Sequence, residues 1–303
     1  MVTRIPDVRV GDAITYEALT VFPLFAPTES NLEYRLSDEA IQAGAVTVEE
    51  VNESGSVPTL LVTNQGDQRV LFLEGEELQG AKQNRVLNTS VLIAAHSRTT
   101  IPVSCVEQGR WRYRGKTFGS SGSHSSPQLR HLLKGTTSAS LRAGAGHTSD
   151  QGAIWREVTR QMGALGSHSP TAAMADTYET HRGRLDEFRS RLEYVNGATG
   201  LAVAVGPNVV AIDVFDKPAT CQKVWSRLLT GMVMDALESR PAETPPKPDD
   251  VVGLLGKLRQ AEWEPAPAVG EGREYRSDAV PPAHASSLVL DDAVVHGSVV
   301  VAV

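Results

Sequence analysis

The chain has 303 residues, 41% hydrophobic and 21% charged, which is typical of a globular protein and excludes an intrinsically disordered one. The formal net charge of −7 disfavours general nucleic-acid binding, although a local basic stripe can still bind an anion. The two cysteines, Cys105 and Cys221, provide no disulfide framework, and no run approaches the roughly 20 apolar residues of a membrane span. Because residues 1–7 also lack the apolar core of a signal peptide, we expect a cytoplasmic protein that does not bind membranes.

The first 116 residues are predicted to form mainly strands. Runs rich in β-branched and aromatic residues, or in strict alternation, predict strands at 57–64, 68–74, 85–94 and 98–106. Gln65-Gly66-Asp67 predicts a hairpin turn between the first two of these strands. Pro102 indicates that the last one is an edge strand or carries a bulge.

The second half is predicted to be mostly helical. Its Gly- and Ser-rich start at 117–149 predicts a flexible insertion with one short helix at 128–134. Apolar spacing and capping residues then predict helices at 150–165, 169–196, 218–236 and 249–263. Short strands are predicted at 201–205, 209–214, 287–290 and 293–301. Strands, then helices, then strands predict one α+β domain with two lobes, a β-rich lobe at 1–116 and a helical lobe at 150–303. We expect the β-rich part to be antiparallel and the final strands to return to its sheet.

A dense polar run follows the apolar strand that ends at Leu73. It contains three carboxylates within four positions, Glu74, Glu76 and Glu77. If the strand continues, Glu74 and Glu76 share a face, and a cation or a raised pKa must relieve their repulsion. Oxygen ligands suit Mg²⁺ or Mn²⁺, so Glu74 and Glu77 are predicted metal ligands and Glu76 a general base. The alternative interpretation is a solvated hairpin tip with local ion pairs.

A second polar run covers residues 104–116. In an extended chain Arg110, Arg112, Arg114 and Lys116 point to one side, with Trp111 and Tyr113 on the other. Guanidinium groups bind phosphate in a bidentate manner, and an aromatic ring can stack a base. The alternative is an edge strand protected from aggregation by positive charge. Cys105 shares a face with apolar neighbours, so a small core residue is favoured over a nucleophile.

Together the two runs predict a pocket where residues 74–85 meet a strand at 107–114. Glu107 is the second candidate acid or base. The residues predicted to contact the substrate are Gln83, Asn84, Arg85, Asn88, Arg110, Trp111 and Arg112. The motifs of zinc proteases, P-loop nucleotide-binding proteins and serine hydrolases are absent from the sequence, and the eight histidines form no metal pattern.

The runs LEGEELQGAKQNRVLNTSVLI and TTIPVSCVEQGRW resemble the central signature of the ARPP family. This family is a domain associated with ADP-ribosylglycohydrolases and rhodanese-phosphatase-superfamily proteins. Residues 19–24, Asp213-Val214-Phe215-Asp216 with Trp225, and Tyr275-Arg276-Ser277 with His296 are similar to its other landmarks. The resemblance implies a role among proteins that process ADP-ribose, NAD-derived nucleotides or phosphate esters. It implies no particular catalytic residue.

Three functional hypotheses remain open from the sequence. The first is an enzyme that binds a phosphorylated nucleotide such as ADP-ribose, with or without a divalent metal. The second is a non-catalytic ligand-sensing or assembly module, in which residues 171–195 and the edge near Arg98 mediate self-association into a homo-oligomer. The third is a purely structural role, in which the polar run is a buried network that fixes a hairpin.

Overall fold

The computed structural model describes residues 4–302 and shows an α+β fold. Its strands are β1 (Arg9–Val10), β2 (Ile14–Tyr16), β3 (Leu19–Phe25), β4 (Tyr34–Leu36), β5 (Val46–Glu50), β6 (Thr59–Asn64), β7 (Arg69–Phe72), β8 (Glu76–Gly80), β9 (Arg85–Leu87), β10 (Val91–Ile93), β11 (Ser97–Cys105), β12 (Phe118–His124), β13 (Gly200–Val205), β14 (Asn208–Phe215), β15 (Glu264–Ala266), β16 (Arg273–Val280), β17 (Ala283–Leu290) and β18 (Ala293–Val301). Its helices are α1 (Ser37–Gln42), α2 (Pro127–Arg142), α3 (Gln151–Ala164), α4 (Met174–Thr180), α5 (Arg182–Arg191), α6 (Pro218–Leu237) and α7 (Pro248–Gln260).

The largest sheet joins the two ends of the chain. Its strand order is β1-β3-β13-β14-β18-β17-β16-β15, with β2 beside β3, and every pair in it is antiparallel. The last strand, β18, pairs with β14, two strands away from β3. The final strands therefore return to the sheet that the first strands begin, as predicted. The inner strands β3, β13, β14 and β18 are buried along almost their whole length, because one face of the sheet packs against helices α2 to α6 and the other against α7.

Two smaller sheets contain the strands from β4 to β12. One has the order β10-β7-β4, and the other the order β12-β8-β9-β11-β6-β5. The predicted hairpin at Gln65-Gly66-Asp67 is therefore wrong, because β6 pairs with β5 and β11 whereas β7 pairs with β10 and β4. The consecutive side chains Val70, Leu71 and Phe72 are all buried, so other residues pack against both faces of β7. Strand β7 is accordingly the central strand of the three-stranded sheet.

Two other strand predictions also change. The single strand predicted at 85–94 is interrupted at Asn88-Thr89-Ser90, and its halves β9 and β10 belong to different sheets. Strand β11 is an inner strand and not an edge strand. Pro102 is tolerated there because the pairing of β11 passes at this residue from β6 to β9.

The segment 117–149, predicted to be a flexible insertion, contains ordered secondary structure. It forms β12, which pairs with β8, and the 16-residue helix α2. The Ser- and Gly-rich composition predicted flexibility, but the backbone of β12 is hydrogen-bonded to β8. This pairing cannot be predicted from the composition of the segment. The helix predicted at 169–196 is also different, since it starts at Met174 and is divided into α4 and α5 near His181.

The hydrophobic core has three main parts. The largest cluster combines residues of helices α2 to α6 with one face of the large sheet. It also includes Leu71 and Val86 from the smaller sheets, and Leu73, which directly follows β7. A second cluster lies between strands of the smaller sheets. A third packs α7 onto the other face of the large sheet. Residues 73–90 contribute apolar side chains to the first cluster (Leu73, Val86) and to the second (Leu78, Ala81, Leu87). The polar side chains of this segment therefore lie between apolar layers.

Candidate functional site

The polar run that follows β7 is buried and does not form a solvated hairpin tip. Eight polar side chains of this run are at most 8% exposed, namely Glu74, Glu76, Glu77, Lys82, Gln83, Asn84, Arg85 and Asn88. Buried charges are costly unless they are paired or hydrogen-bonded. The partner of each side chain therefore decides what it can do.

The three carboxylates of the run diverge. An oxygen of Glu74 lies 2.5 Å from the amine of Lys134. Glu76 accepts a hydrogen bond from Ser37 and lies 3.4 Å from the guanidinium of Arg227. Among residues 4–302, no three His, Cys, Asp or Glu side chains are grouped so that they can hold a metal ion. The structure thus offers no converging donor set around Glu74 and Glu77, the predicted metal ligands.

Burial changes the acidity of the remaining carboxylate. It raises the pKa of Glu77 to about 7, because the hydrogen bonds from Ser121, Gln79 and Asn84 do not offset the loss of water. Burial also raises the pKa of Glu76, although Arg227 acts in the opposite direction. The pKa of Glu77 therefore lies near neutrality.

Arg110 and Glu107 form a buried ion pair. Nε and Nη2 of Arg110 donate to the two Glu107 oxygens at 2.8 and 2.7 Å, while Nη1 donates to the carbonyls of Ala81 and Arg112 at 2.7 and 2.9 Å. Burial raises the pKa of Glu107, but hydrogen bonds from Arg110, the Asn84 amide and Thr171 outweigh it and leave this pKa low. A paired anion of low pKa is a poor general base, and an arginine with these partners is not free for phosphate. We conclude that this pair anchors the chain.

Residues 107–114 do not form the predicted strand. The chain turns at Gln108-Gly109, where the Gly109 amide donates to the Thr171 carbonyl at 2.8 Å and an added Cβ would lie 2.9 Å from the Thr171 backbone. The predicted alternation is consequently lost. Arg110 is buried, whereas the residues after it are exposed, namely Trp111, Arg112, Tyr113, Arg114 and Lys116.

Lys82 holds two exposed loops together, the 51–58 loop and the 110–116 loop. Its amine donates to the carbonyls of Glu53 and Ser54 at 2.6 and 2.7 Å. It also lies 5.2 Å from the ring centre of Trp111 and 5.0 Å from that of Tyr113. The Tyr113 hydroxyl donates to the Glu53 carbonyl at 3.1 Å. The two loops thus meet over Lys82 by cation–π contacts and hydrogen bonds.

Beneath these loops lies a buried pair of opposite charges that is poorly satisfied. The nearest atoms of Arg85 and Glu50 are 4.0 Å apart, and their side chains are 0% and 3% exposed. Among residues 4–302, no hydrogen-bond partner is found for either oxygen of Glu50 or for Nε and Nη2 of Arg85. An added Cβ at Gly55 would lie 3.1 Å from Lys82, 3.3 Å from Glu50 and 3.4 Å from Trp111, so the pair adjoins the loops.

We call this assembly the loop site and define it by Glu50, Lys82, Arg85, Trp111 and Tyr113. Leaving such groups unpaired costs several kcal/mol, which a ligand carrying both an acceptor and a donor would recover. Arg85 and Trp111 were predicted from the sequence, but Glu50 was missed because no strand was predicted at 46–50. Val46, Val48 and Glu50 lie at every second position, and all three side chains are buried on the same face of β5. This two-residue spacing is the sequence signal that could have identified Glu50.

Other predicted residues are placed elsewhere or act as supports. Gln83 accepts from Arg85 at 3.1 Å and donates to the Glu107 carbonyl at 3.0 Å. Asn84 donates to Glu77 at 3.4 Å and accepts from Arg110 at 3.2 Å. Asn88 donates to the His147 carbonyl at 2.8 Å and shares no partner with the loop site. Burial raises the pKa of the Cys105 thiol, which agrees with a core residue and not with a nucleophile.

The fold and the loop site define a class of protein, an α+β protein with a buried, incompletely paired polar site beneath exposed aromatic loops. The chain belongs to the ARPP-1 family, the ARG and rhodanese-phosphatase-superfamily-associated protein domain, which matches residues 7–300. No curated protein and no solved structure matches it. Among residues 4–302, no helix is both long and apolar enough to cross a membrane.

Proposed function

We propose that the protein binds a phosphorylated nucleotide of the ADP-ribose or NAD-derived type at the loop site. The observation that carries the proposal is the pair of unsatisfied buried charges, Arg85 and Glu50, beneath Trp111 and Tyr113. A nucleobase edge presents hydrogen-bond acceptors next to donors. Arg85 would donate to an acceptor of the base, and Glu50 would accept from a donor of the base.

The exposed rings supply the second element of nucleotide recognition. Trp111 is 49% and Tyr113 is 50% exposed, and among the described residues no other aromatic side chain of comparable size is as exposed. Stacking a base on such a ring contributes about 1–3 kcal/mol. Lys82 occupies the space beside both rings in the free protein, so a ligand ring would displace its cation–π contacts.

Phosphate binding falls to the exposed cations of the 110–116 loop. Arg112, Arg114 and Lys116 are exposed. Within the described part of the chain, the only acidic contact of these three side chains is that of Arg114 with Glu107, at 3.9 Å. A diphosphate spans two such side chains, and guanidinium groups bind it through paired hydrogen bonds. Arg85 and Arg110, which were predicted to contact the substrate, do not bind phosphate in this proposal. Arg112 keeps the role predicted for it.

The loop site favours binding over turnover. Glu107 is paired with Arg110, and the predicted metal ligands Glu74 and Glu77 contact different partners, Lys134 and Asn84. The ligand-sensing module is therefore the form of this function that we prefer to a nucleotide-processing enzyme. The family's association with ADP-ribosylglycohydrolases and rhodanese-phosphatase-superfamily proteins supports the choice of ligand class.

Isothermal titration calorimetry with ADP-ribose, NAD⁺, AMP and ribose 5-phosphate, with and without Mg²⁺, tests the proposal. We expect ADP-ribose and NAD⁺ to bind, and ribose 5-phosphate to bind much more weakly because it offers no base to stack. Trp111→Ala should weaken binding by about tenfold or more. Arg112→Gln should weaken it and reduce its dependence on salt.

The matched control is Arg182→Gln, an exposed arginine on α5 whose salt bridge is to Glu179. It should leave affinity unchanged. Lack of binding by every nucleotide, or equal losses in the Arg112 and Arg182 variants, would refute the proposal. Glu50→Gln adds a test of base recognition, since an amide offers only one acceptor where the carboxylate offers two.

A further inference from the structure

A second buried polar cluster shares no residue with the loop site. It joins Ser90, in the connection between β9 and β10, to His296 on β18 and Asp213 on β14. Ser90 Oγ lies 2.7 Å from His296 Nδ1, and His296 Nε2 lies 3.0 Å from Asp213 Oδ1. Three residues from distant parts of the sequence thus form one continuous hydrogen-bond chain from a hydroxyl through an imidazole to a carboxylate.

The direction of every proton in this chain follows from Asp213. Arg130 donates to its two oxygens at 2.9 and 2.6 Å. Although burial raises the pKa of Asp213, Arg130 and His296 together hold this pKa far below its ordinary value. Asp213 is therefore an anion that only accepts, so His296 Nε2 carries the proton. In a neutral imidazole Nδ1 then accepts, and the Ser90 hydroxyl must be its donor.

The surroundings fix this geometry. The ring of His296 stacks on that of Phe215, with centroids 4.8 Å apart and planes at 9°. Phe215 and His296 are paired residues on adjacent strands, so the sheet itself holds the stack. The amide of Glu74 donates to Ser90 Oγ at 2.9 Å, which orients the hydroxyl from the other side. Such fixed orientation of a nucleophile and its base is what this type of catalysis requires.

Ser90 is the outermost member of the chain. It is 9% exposed, whereas His296 is 2% and Asp213 0% exposed. The candidate nucleophile therefore lies nearest the solvent and the positioning carboxylate lies deepest. A substrate that enters from solvent would meet Ser90 first. Because only 9% of Ser90 is exposed, a small acyl group is favoured as substrate over a bulky one.

We propose that Ser90 is the nucleophile of a serine esterase site that hydrolyses esters of a small acyl group such as acetyl, with His296 as general base and Asp213 as a positioning residue. Ser90 Oγ forms a bond to the acyl carbon while its proton passes to His296 Nδ1. The ester C–O bond breaks, and the leaving alcohol oxygen takes that proton. Water then attacks the acyl-serine, again giving a proton to His296, which returns it to Ser90 Oγ as the acid is released.

The test uses p-nitrophenyl acetate with the full chain. We expect release of p-nitrophenol and, after acid quenching, an acetyl group located on Ser90 by peptide mapping. Ser90→Ala should lower the rate by at least about 100-fold. The control is Ser104→Ala, which removes another buried hydroxyl, one that donates to Asn88 at 2.6 Å, and should keep the rate.

Peptide mapping of the unmodified protein needs no variant, so it decides the matter even if Ser90→Ala fails to fold. Acetyl groups found on lysines or other serines but not on Ser90 would overturn the proposal. Equal rates for folded Ser90→Ala and unmodified protein would do so too. Because the loop site takes no part, nucleotide binding can fail while Ser90 is acetylated, or the reverse.

Discussion

At the scale of single residues, buried ionisable groups determine the chemistry of this protein. The sequence predicted that crowded carboxylates would need a cation or a raised pKa. The pKa values of Glu77 and Glu76 are indeed raised, but by burial and not by repulsion between Glu74 and Glu76. Glu74 is instead paired with Lys134, whose pKa burial lowers to about 8.

The raised pKa of Glu77 predicts how stability depends on pH. Its pKa is 4.5 in the unfolded chain and about 7 when folded, so between these values the folded state binds more protons. Stability from this group is present below about pH 4.5 and is lost as pH rises to 7, by about 3 kcal/mol at most. Asp235, whose pKa burial raises to about 7, acts in the same direction.

We expect Glu77→Gln to reduce this decline without abolishing it, because Asp235 still titrates. Urea unfolding at pH 5, 6 and 7 measures the effect. The exposed Glu193→Gln serves as the control and should leave the slope as it is. An unchanged slope in Glu77→Gln would show that this carboxyl is ionised throughout the range.

At the scale of elements, close backbone approach decides where strands and helices meet. Gly231 lies in the interior of α6, where a residue with a side chain would normally favour the helix. An added Cβ there would lie 2.2 Å from the carbonyl oxygen of Ser125 and 2.6 Å from that of His124. Glycine is therefore required for α6 to pack against the end of β12.

Replacing Gly231 by Ala should destabilise the protein by at least about 2 kcal/mol, because backbone must move to admit the methyl group. The matched change in α7, Gly253→Ala, meets no atom within 4 Å and should stabilise by about 0.5–1 kcal/mol. Thermal unfolding of the two variants is the measurement. A similar stability for both would mean that α6 does not approach β12 so closely.

At the scale of the whole molecule, one hydrophobic cluster links the two predicted lobes. It contains Leu71, Leu73 and Val86 from the N-terminal part together with Leu201 and Val224 from the C-terminal part. A core shared in this way makes independent unfolding of either part unfavourable, since each would expose the apolar surface of the other.

We therefore expect one cooperative unfolding transition for the full chain. Tryptophan fluorescence and far-UV circular dichroism followed in the same urea titration should give coincident curves. Trp225 is buried in the shared cluster and reports on it directly. Two separated transitions would instead support lobes that fold on their own.

The sequence by itself determined the local features of this protein. Helices with clear caps and apolar spacing, such as α3 and α6, were predicted close to their observed bounds because such signals act within one element. The α+β class and the return of the final strands also followed from the order of elements along the chain. The sequence also identified residues 74–85 and 104–116 as the unusual polar segments.

Only the tertiary structure decided which polar groups meet. Ser90, Asp213 and His296 are separated by more than eighty residues along the chain at their nearest, so no spacing in the sequence predicts their contact. Which strands pair depends on the segments that pack against both faces of each strand. The sequence around Gln65-Gly66-Asp67 does not contain this information, so the predicted hairpin there was wrong. Likewise Arg110 and Arg112 look equivalent in sequence, but the structure buries Arg110 against Glu107 and leaves Arg112 exposed.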